Sequence, residues 1–345
     1  MITDFVDLIR ERRGKIQVAM LSFALILFIS ALPLTGLAPK QSLETTTNWY
    51  SLLVTSQADW ELVFVISSVT LLFLNLTGII KVKTSLSPFN GWIVGLTLVA
   101  SSFSTAGILE ILINSHLASA LNFFGSDSIV LIISVAAATA LYIYLSKSLG
   151  SSILGQGFWI LVAVHQLRYW INSEILLSAQ IKNGTITPKF LPVEICGDIF
   201  TIAVLVFVFR FRQKNGAALT QSVLIPWLIA PFAAAFLLVL PQFLHFDGLT
   251  HFVNYNHAFM LNRVHLLLVV IFSWFYLKED RTSAIRIITV GGFAIAEIVQ
   301  IFLFYVGFSV VPVRSLLLVL VAFAGVSIFG ALEARKSVGT LRISA

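Results

Sequence analysis

The sequence predicts an all-α integral membrane protein of ten transmembrane helices, built as two inverted five-helix halves with both termini in the cytoplasm. Three observations carry this expectation. The 345 residues are 58% hydrophobic and only 11% charged, with a mean hydropathy of +0.95, a balance foreign to soluble domains of this length. Ten apolar stretches approach the roughly 20 residues needed to cross a hydrocarbon core about 30 Å thick. Finally, 16 of the 22 Lys and Arg residues fall on alternate connections between those stretches. Basic residues near spans are retained on the cytoplasmic side, so the alternation orients the chain.

The stretches run 16–37, 60–80, 92–113, 128–146, 153–172, 193–211, 222–244, 258–277, 286–308 and 313–333. Inside fall Arg10, Arg12, Arg13 and Lys15; Lys81 and Lys83; Lys147; Arg210, Arg212 and Lys214; Lys278, Arg281 and Arg286; and Arg335, Lys336 and Arg342. Outside fall Lys40, Arg168, Lys182, Lys189, Arg263 and Arg314. Residues 1–15 read as an amphipathic helix on the cytoplasmic surface, with Phe5, Val6, Leu8 and Ile9 towards lipid. The acidic Asp4, Asp7 and Glu11 and the lack of a small-residue cleavage site argue against a removable signal peptide. The halves span 16–172 and 193–334, and 335–345 form a cytoplasmic tail. Five spans per half, an odd number, place the halves in opposite orientation.

The basic balance, with a pI of 9.5, does not indicate nucleic acid. Its charges are spread over separate cytoplasmic connections and tails, where they orient the protein and meet anionic membrane lipids. Cys196 is the single cysteine, which excludes an intrachain disulfide and a thiolate metal cluster. No connection exceeds about 25 residues, which leaves no room for an inserted soluble domain.

Ionisable residues inside the spans are few, and each is costly in hydrocarbon unless paired or hydrated. Glu297 and Gln300 lie one turn apart in the ninth span, His165, Gln166 and Arg168 in the fifth, and Asp198 near the start of the sixth. Asp198 and Arg168 lie close enough to the outer boundary to snorkel. No H-E-x-x-H helix or carboxylate pair is present, so no catalytic residues and no cofactor are expected. His245, His251 and His257 share an outer connection without a carboxylate shell, and no metal site is expected there. Pro226, Pro231 and Pro241 mark the seventh span as the most broken helix, of the kind that belongs beside a pathway. Residues 48–54, apolar but too short to span, read either as a re-entrant half-helix or as an interfacial segment held by Trp49 and Tyr50.

At these positions the chain resembles SecY, the channel subunit of the bacterial protein translocase, over nearly its whole length. The first span ends in Leu32-Pro33-Leu34-Thr35-Gly36, similar to the family's Ile-Pro-x-Pro-Gly. Gly155-Gln156-Gly157 is similar to its Gly-Asn-Gly, and Ile225-Pro226-Trp227-Leu228-Ile229-Ala230 to its Ile-Pro-x-x-x-Ala. Phe272-Ser273-Trp274-Phe275-Tyr276 looks like the aromatic end of the family's eighth span.

The resemblance implies a protein-conducting channel in a bacterial plasma membrane, not an enzyme. It also implies secretory precursor proteins as cargo, with a SecA-like motor ATPase and small SecE-like membrane subunits as partners. It places a plug at 48–54, with Trp49, Tyr50, Leu52 and Leu53, and a pore ring at Val69, Phe73, Val162, Gln166, Leu228 and Leu318. Gln166 departs from the aliphatic ring pattern. A lateral gate would carry Asn75 and Thr77; Ser101, Ser102, Ser104 and Thr105; and His265 and Ser273. In lipid, such groups are expected to seek partners across the seam.

The connections that dock a motor or ribosome in the family shrink here to about Arg212–Gln221 and Lys278–Arg286, and the family's Gly-Ile-Arg-Pro-Gly motif is absent. A specialised, accessory-type paralogue is therefore implied. Two other classes remain open: a small-molecule transporter with a midplane site near Glu297, and a membrane glycosyltransferase or polysaccharide polymerase. The latter calls for a large external loop with paired Arg and acidic residues, which the sequence does not contain.

Overall fold

The computed structural model describes residues 49–79, 87–114, 126–148, 157–184, 191–217, 219–243, 257–278, 282–305 and 313–343. Every regular element among them is helical. They are α1 (Trp49–Leu76), α2 (Gly91–Asn114), α3 (Ser126–Ser148), α4 (Gly157–Lys182), α5 (Leu191–Lys214), α6 (Ile225–Phe243), α7 (His257–Tyr276), α8 (Ser283–Tyr305) and α9 (Val313–Ile343). Each overlaps one of the predicted apolar stretches. The first stretch, 16–37, and the amphipathic segment 1–15 lie outside the described residues.

Helix ends follow local chemistry. Asn90 caps α2, its Oδ1 accepting the Trp92 N–H at 3.0 Å. Thr282 plays the same part for α8 towards the Ile285 N–H at 3.4 Å. After α1, α4 and α5 the chain turns at Gly78, Gly184 and Gly216, with φ near +72° to +74°. A side chain there would strain the backbone, and glycine ends the helix at little cost.

Among the described residues, four stretches are long and apolar enough to cross a membrane: Ala58–Leu76, Leu191–Lys214, Gln221–Leu238 and Ser283–Leu303. Polarity is also turned inside out. Glu61, Thr97, Gln166, Glu194, His265 and Glu297 are buried, while Ile66, Trp92, Phe103, Ile199 and Phe302 are exposed. Large exposed apolar side chains over a partly polar interior fit a lipid surround and would be a liability in water. This is an all-helical membrane protein.

The chain divides into two compact units, Met1–Val162 and Ala163–Ala345. The boundary falls inside α4, whereas the predicted halves parted after residue 172. In the N-terminal unit α1, α2 and α3 pack on one another. Their core is aromatic: Trp60 meets Phe89, Tyr142 and Phe158 edge-on, and Phe64 meets Phe158 and Trp159. The Trp60 indole donates to the Pro88 carbonyl at 3.1 Å, which fixes its polar edge. In the C-terminal unit α8 packs on α5 and α7, α9 on α5, and α7 on α6. Phe209, Trp227, Phe293 and Phe323 form its aromatic centre.

Two expectations are corrected. Residues 49–54 are not a separate half-helix: they are the first turns of α1, continuous with the span that follows. Their side chains lie outside the described residues. The three prolines do not break the seventh span. Pro226 falls in the first turn of α6, where its missing N–H is not needed, and the helix continues through Pro231 and Pro241 to Phe243. The segment read as a tail, 335–345, begins as a continuation of α9, which runs to Ile343.

α5 and α8 approach closely where they cross. A Cβ at Gly197 would meet Leu303 Cδ1 at 2.5 Å, and one at Gly292 would meet Val208 Cγ2 still more closely. Small residues let membrane helices approach so near. The two sites differ in how they can yield. Leu303 can swing its branch away, whereas Val208 is stiff at χ1. Gly292→Ala is therefore expected to cost about 1–3 kcal/mol of overpacking, and Gly197→Ala clearly less. Thermal unfolding of the two variants in detergent checks this, and a reversed order would show that Val208 is not the wall.

Candidate functional site

α8 carries the buried polar side chains Thr289, Glu297 and Gln300, and each meets a neighbouring helix. In a straight helix Glu297 and Gln300 are neighbours one turn apart, yet they serve opposite flanks. Towards α7, Glu297 Oε1 lies 2.7 Å from His265 Nδ1. Both side chains are sealed off, at 1% and 2% exposure. Towards α5, the Gln300 amide donates to Asp198 Oδ1 at 3.2 Å and to Thr201 Oγ1 at 3.0 Å. Glu297 lies about 12 Å from the nearer end of α8 at 1.5 Å per residue, deep within the helix.

Two turns towards the other end, Thr289 is held by the Ile285 carbonyl at 2.7 Å and accepts from Arg212 Nη1 at 3.3 Å. The partners on α5 rise in number from 197 to 212 while those on α8 fall from 303 to 289. The two helices thus run antiparallel in one unbroken register. At the basic end, Arg286 sits 4.0 Å over the Trp274 ring, a cation–π contact. Arg210 bridges to Glu333 at 2.7 Å on the exposed surface.

Several polar atoms near this stripe have no hydrogen-bond partner among the described residues: His265 Nε2, Glu297 Oε2, Gln300 Oε1, Asn262 Nδ2 and Ser273 Oγ. Buried polar groups are seldom left so, and a cluster of them indicates function or strain. No group of three His, Cys, Asp or Glu side chains suited to a metal ion occurs among the described residues.

The structure buries Val162, Gln166, Leu228 and Leu318, half-buries Val69, and leaves Phe73 62% exposed. Val162, Trp159 and Gln166 share one packed face of α4, and Gln166 Oε1 has no partner there. Ser104 and Thr105 lie in α2, their side chains outside the described residues.

At three of the gate positions the polar group has a partner within its own unit. Thr77 Oγ1 donates to Phe73 and Leu74 carbonyls of its own helix. Ser102 Oγ donates to Leu98 O at 2.8 Å. His265 is engaged by Glu297 within its own unit. A hydroxyl in hydrocarbon always has a carbonyl one turn back within reach, so polarity alone does not mark an interface.

The sequence named His265 and Glu297 for different reasons and did not pair them. The signal was available. His265 stands 11 residues before the end of α7, and Glu297 stands 14 after the start of α8. Across a short connection two such positions come to similar depth. The Asp198–Gln300–Thr201 set was not foreseen, since Asp198 read as a boundary residue.

No family model matches this chain, and no curated protein matches it.

Removing one partner of a buried acid–imidazole pair leaves the other without compensation, at about 3–5 kcal/mol. His265→Leu should therefore destabilise the C-terminal unit strongly. The double variant His265→Leu/Glu297→Leu should recover most of that loss, because an apolar pair of similar volume is often neutral. Denaturant unfolding of the single and double variants measures the recovery. Additive losses would show that the two residues do not act as a pair.

Proposed function

We propose that this chain is the channel subunit of a reduced, accessory-type Sec translocase in a bacterial plasma membrane, exporting a selected set of proteins. The observation that carries the reading is the division of the helices into two compact units, each with its own aromatic core. A channel that opens sideways needs two bodies that hold together internally while the seam between them parts. The order of SecY-like motifs along the chain supports the same reading, as does the alternation of basic residues, which favours ten spans with both termini inside.

In this mechanism an apolar ring of Val69, Phe73, Val162, Gln166, Leu228 and Leu318 excludes water at rest by dewetting. The first turns of α1, with Trp49, Tyr50, Leu52 and Leu53, fill the outer funnel. The seam passes Asn75, Thr77, Ser104, Thr105, His265 and Ser273, and lets an apolar signal segment partition into lipid. Secretory precursors are the cargo. A SecA-like motor supplies the push at shortened cytoplasmic connections, and SecE-like subunits clasp the two units.

A second reading is favoured by one observation, the buried His265–Glu297 pair. Ionisable pairs inside a membrane often mark an ion-coupled transport site, and the chain would then be a small-molecule transporter.

The deciding experiment stalls a secretory precursor in the protein and crosslinks it to single cysteines in a Cys196→Ser background. Cysteines at Val69 and Leu228 are expected to capture the precursor, and one at the lipid-exposed Ile199 to capture none. Crosslinking at no interior position would remove the channel reading and leave the transporter. A related test bears on the ring itself. One or two polar groups are enough to anchor water in a narrow apolar constriction, so Val69→Asn/Leu228→Asn should conduct ions at rest in planar bilayers. A well-folded, non-conducting double variant would take these residues out of the pore.

A further inference from the structure

We infer that His265 and Glu297 form a proton-binding site in the interior of the C-terminal unit, whose occupancy controls how tightly α7 and α8 hold together. The inference stands apart from the channel reading and needs neither a seam nor a cargo.

The contact at 2.7 Å between Nδ1 and Oε1 requires one proton between nitrogen and oxygen. Beyond it, each partner keeps one further atom, Nε2 and Oε2, bonded to nothing among the described residues. A lone ring nitrogen and a lone carboxylate oxygen do not make a metal-ion cage, which needs several converging ligands. Gln300 does not join them, because its amide is committed to Asp198 and Thr201 on the other flank. The species this pair is equipped to take up is a second proton.

The sign of the effect follows from charge. With the second proton the pair is neutral overall and keeps a charge-assisted bond. Without it, a net negative charge remains in the packed interior, where an uncompensated ion is expensive. The groups around the pair do not cancel that charge. On α5, Asp198 and Glu194 are themselves acidic, and Arg212 is engaged at Thr289, about 12 Å along α8 from Glu297. On α8, Arg286 lies about 16 Å away over Trp274. On α7, Arg263 is exposed and points about 200° around the helix from His265. The described residues of α6 carry no titratable group, and Glu333 of α9 is exposed and paired with Arg210. Loss of the proton therefore favours admitting water by loosening α7 from α8, and proton uptake favours closure.

Hydrogen–deuterium exchange of the protein in lipid nanodiscs tests this between about pH 5 and 9, after correction for intrinsic exchange. Amides of α7 and α8 are expected to lose about tenfold of their protection at the alkaline end, in the range of ordinary site-to-site coupling. His265→Gln and Glu297→Gln each keep a hydrogen-bonding side chain but break the acid–imidazole pair, and should lose the pH dependence, while Asp198→Asn should retain it. Protection independent of pH in the wild type overturns the inference. So does a change spread equally over the N-terminal unit, which is readable without any variant. Persistence of the dependence in a folded His265→Gln protein, or its loss in Asp198→Asn alone, overturns it too.

Discussion

Hydrocarbon offers no hydrogen bonds, so every polar group that enters it must find a partner within the protein, and most of this structure is an answer to that demand. The backbone answers by folding into helices. Small hydroxyl groups answer by turning back on their own helix: Thr97 bonds the Ile93 carbonyl, Thr139 that of Val135 and Thr289 that of Ile285. These residues cost little in the membrane and mark no site. Residues too long to turn back, His265, Glu297, Gln300 and Arg212, reach another helix and tie helices together with polar bonds in the interior, as Arg210 and Glu333 do at the surface.

Between such bonds the units are held by shape. Trp60, Phe64 and Phe158 interlock edge to face in one unit, and Phe209, Trp227 and Phe293 do so in the other. In a bilayer these contacts gain nothing from leaving water, because lipid tails are as apolar as the core. Close packing is what remains, and it rewards flat rings and missing side chains alike. Gly197 and Gly292 thus belong to the same strategy as the aromatic clusters: they remove volume where α5 and α8 cross.

How much was legible in the sequence follows from this physics. Span-length apolar runs predicted the helices well, because length and hydropathy are set by the bilayer and not by neighbours. Helix ends at Asn90 and Gly216 were not named from the sequence, although their chemistry is local. Partners were not readable. Thr77, Ser102 and His265 were assigned to a seam through the resemblance to SecY, yet each has a partner within its own unit, and nothing in a single sequence says whether a hydroxyl bonds its own helix. The prolines misled in the same way. Pro226 sits where a missing N–H is free, and the break it advertised is a helix start. The Asp198–Gln300 bond joins residues 102 apart in sequence, a distance over which no spacing rule applies.

The two flanks of α8 are not equivalent, and the difference assigns them different parts. On the α5 side the helix is fixed at both ends and in the middle, by Thr289 to Arg212, by Gly292 against Val208, by Gln300 to Thr201 and by Gly197 under Leu303. Changing the protonation of one residue does not undo so many contacts. On the α7 side the buried hydrogen bond described is between two ionisable groups, with Arg286 over Trp274 towards the basic end. An ionisable pair is a poor choice for stability alone, since apolar residues of equal volume would serve as well. It is also not needed to set register, which the α5 crossing already sets. What an ionisable pair offers, and an apolar one does not, is a bond whose strength depends on a proton. Movement, if α8 permits any, therefore belongs to α7, with α5 and α8 as the fixed frame against which it shifts.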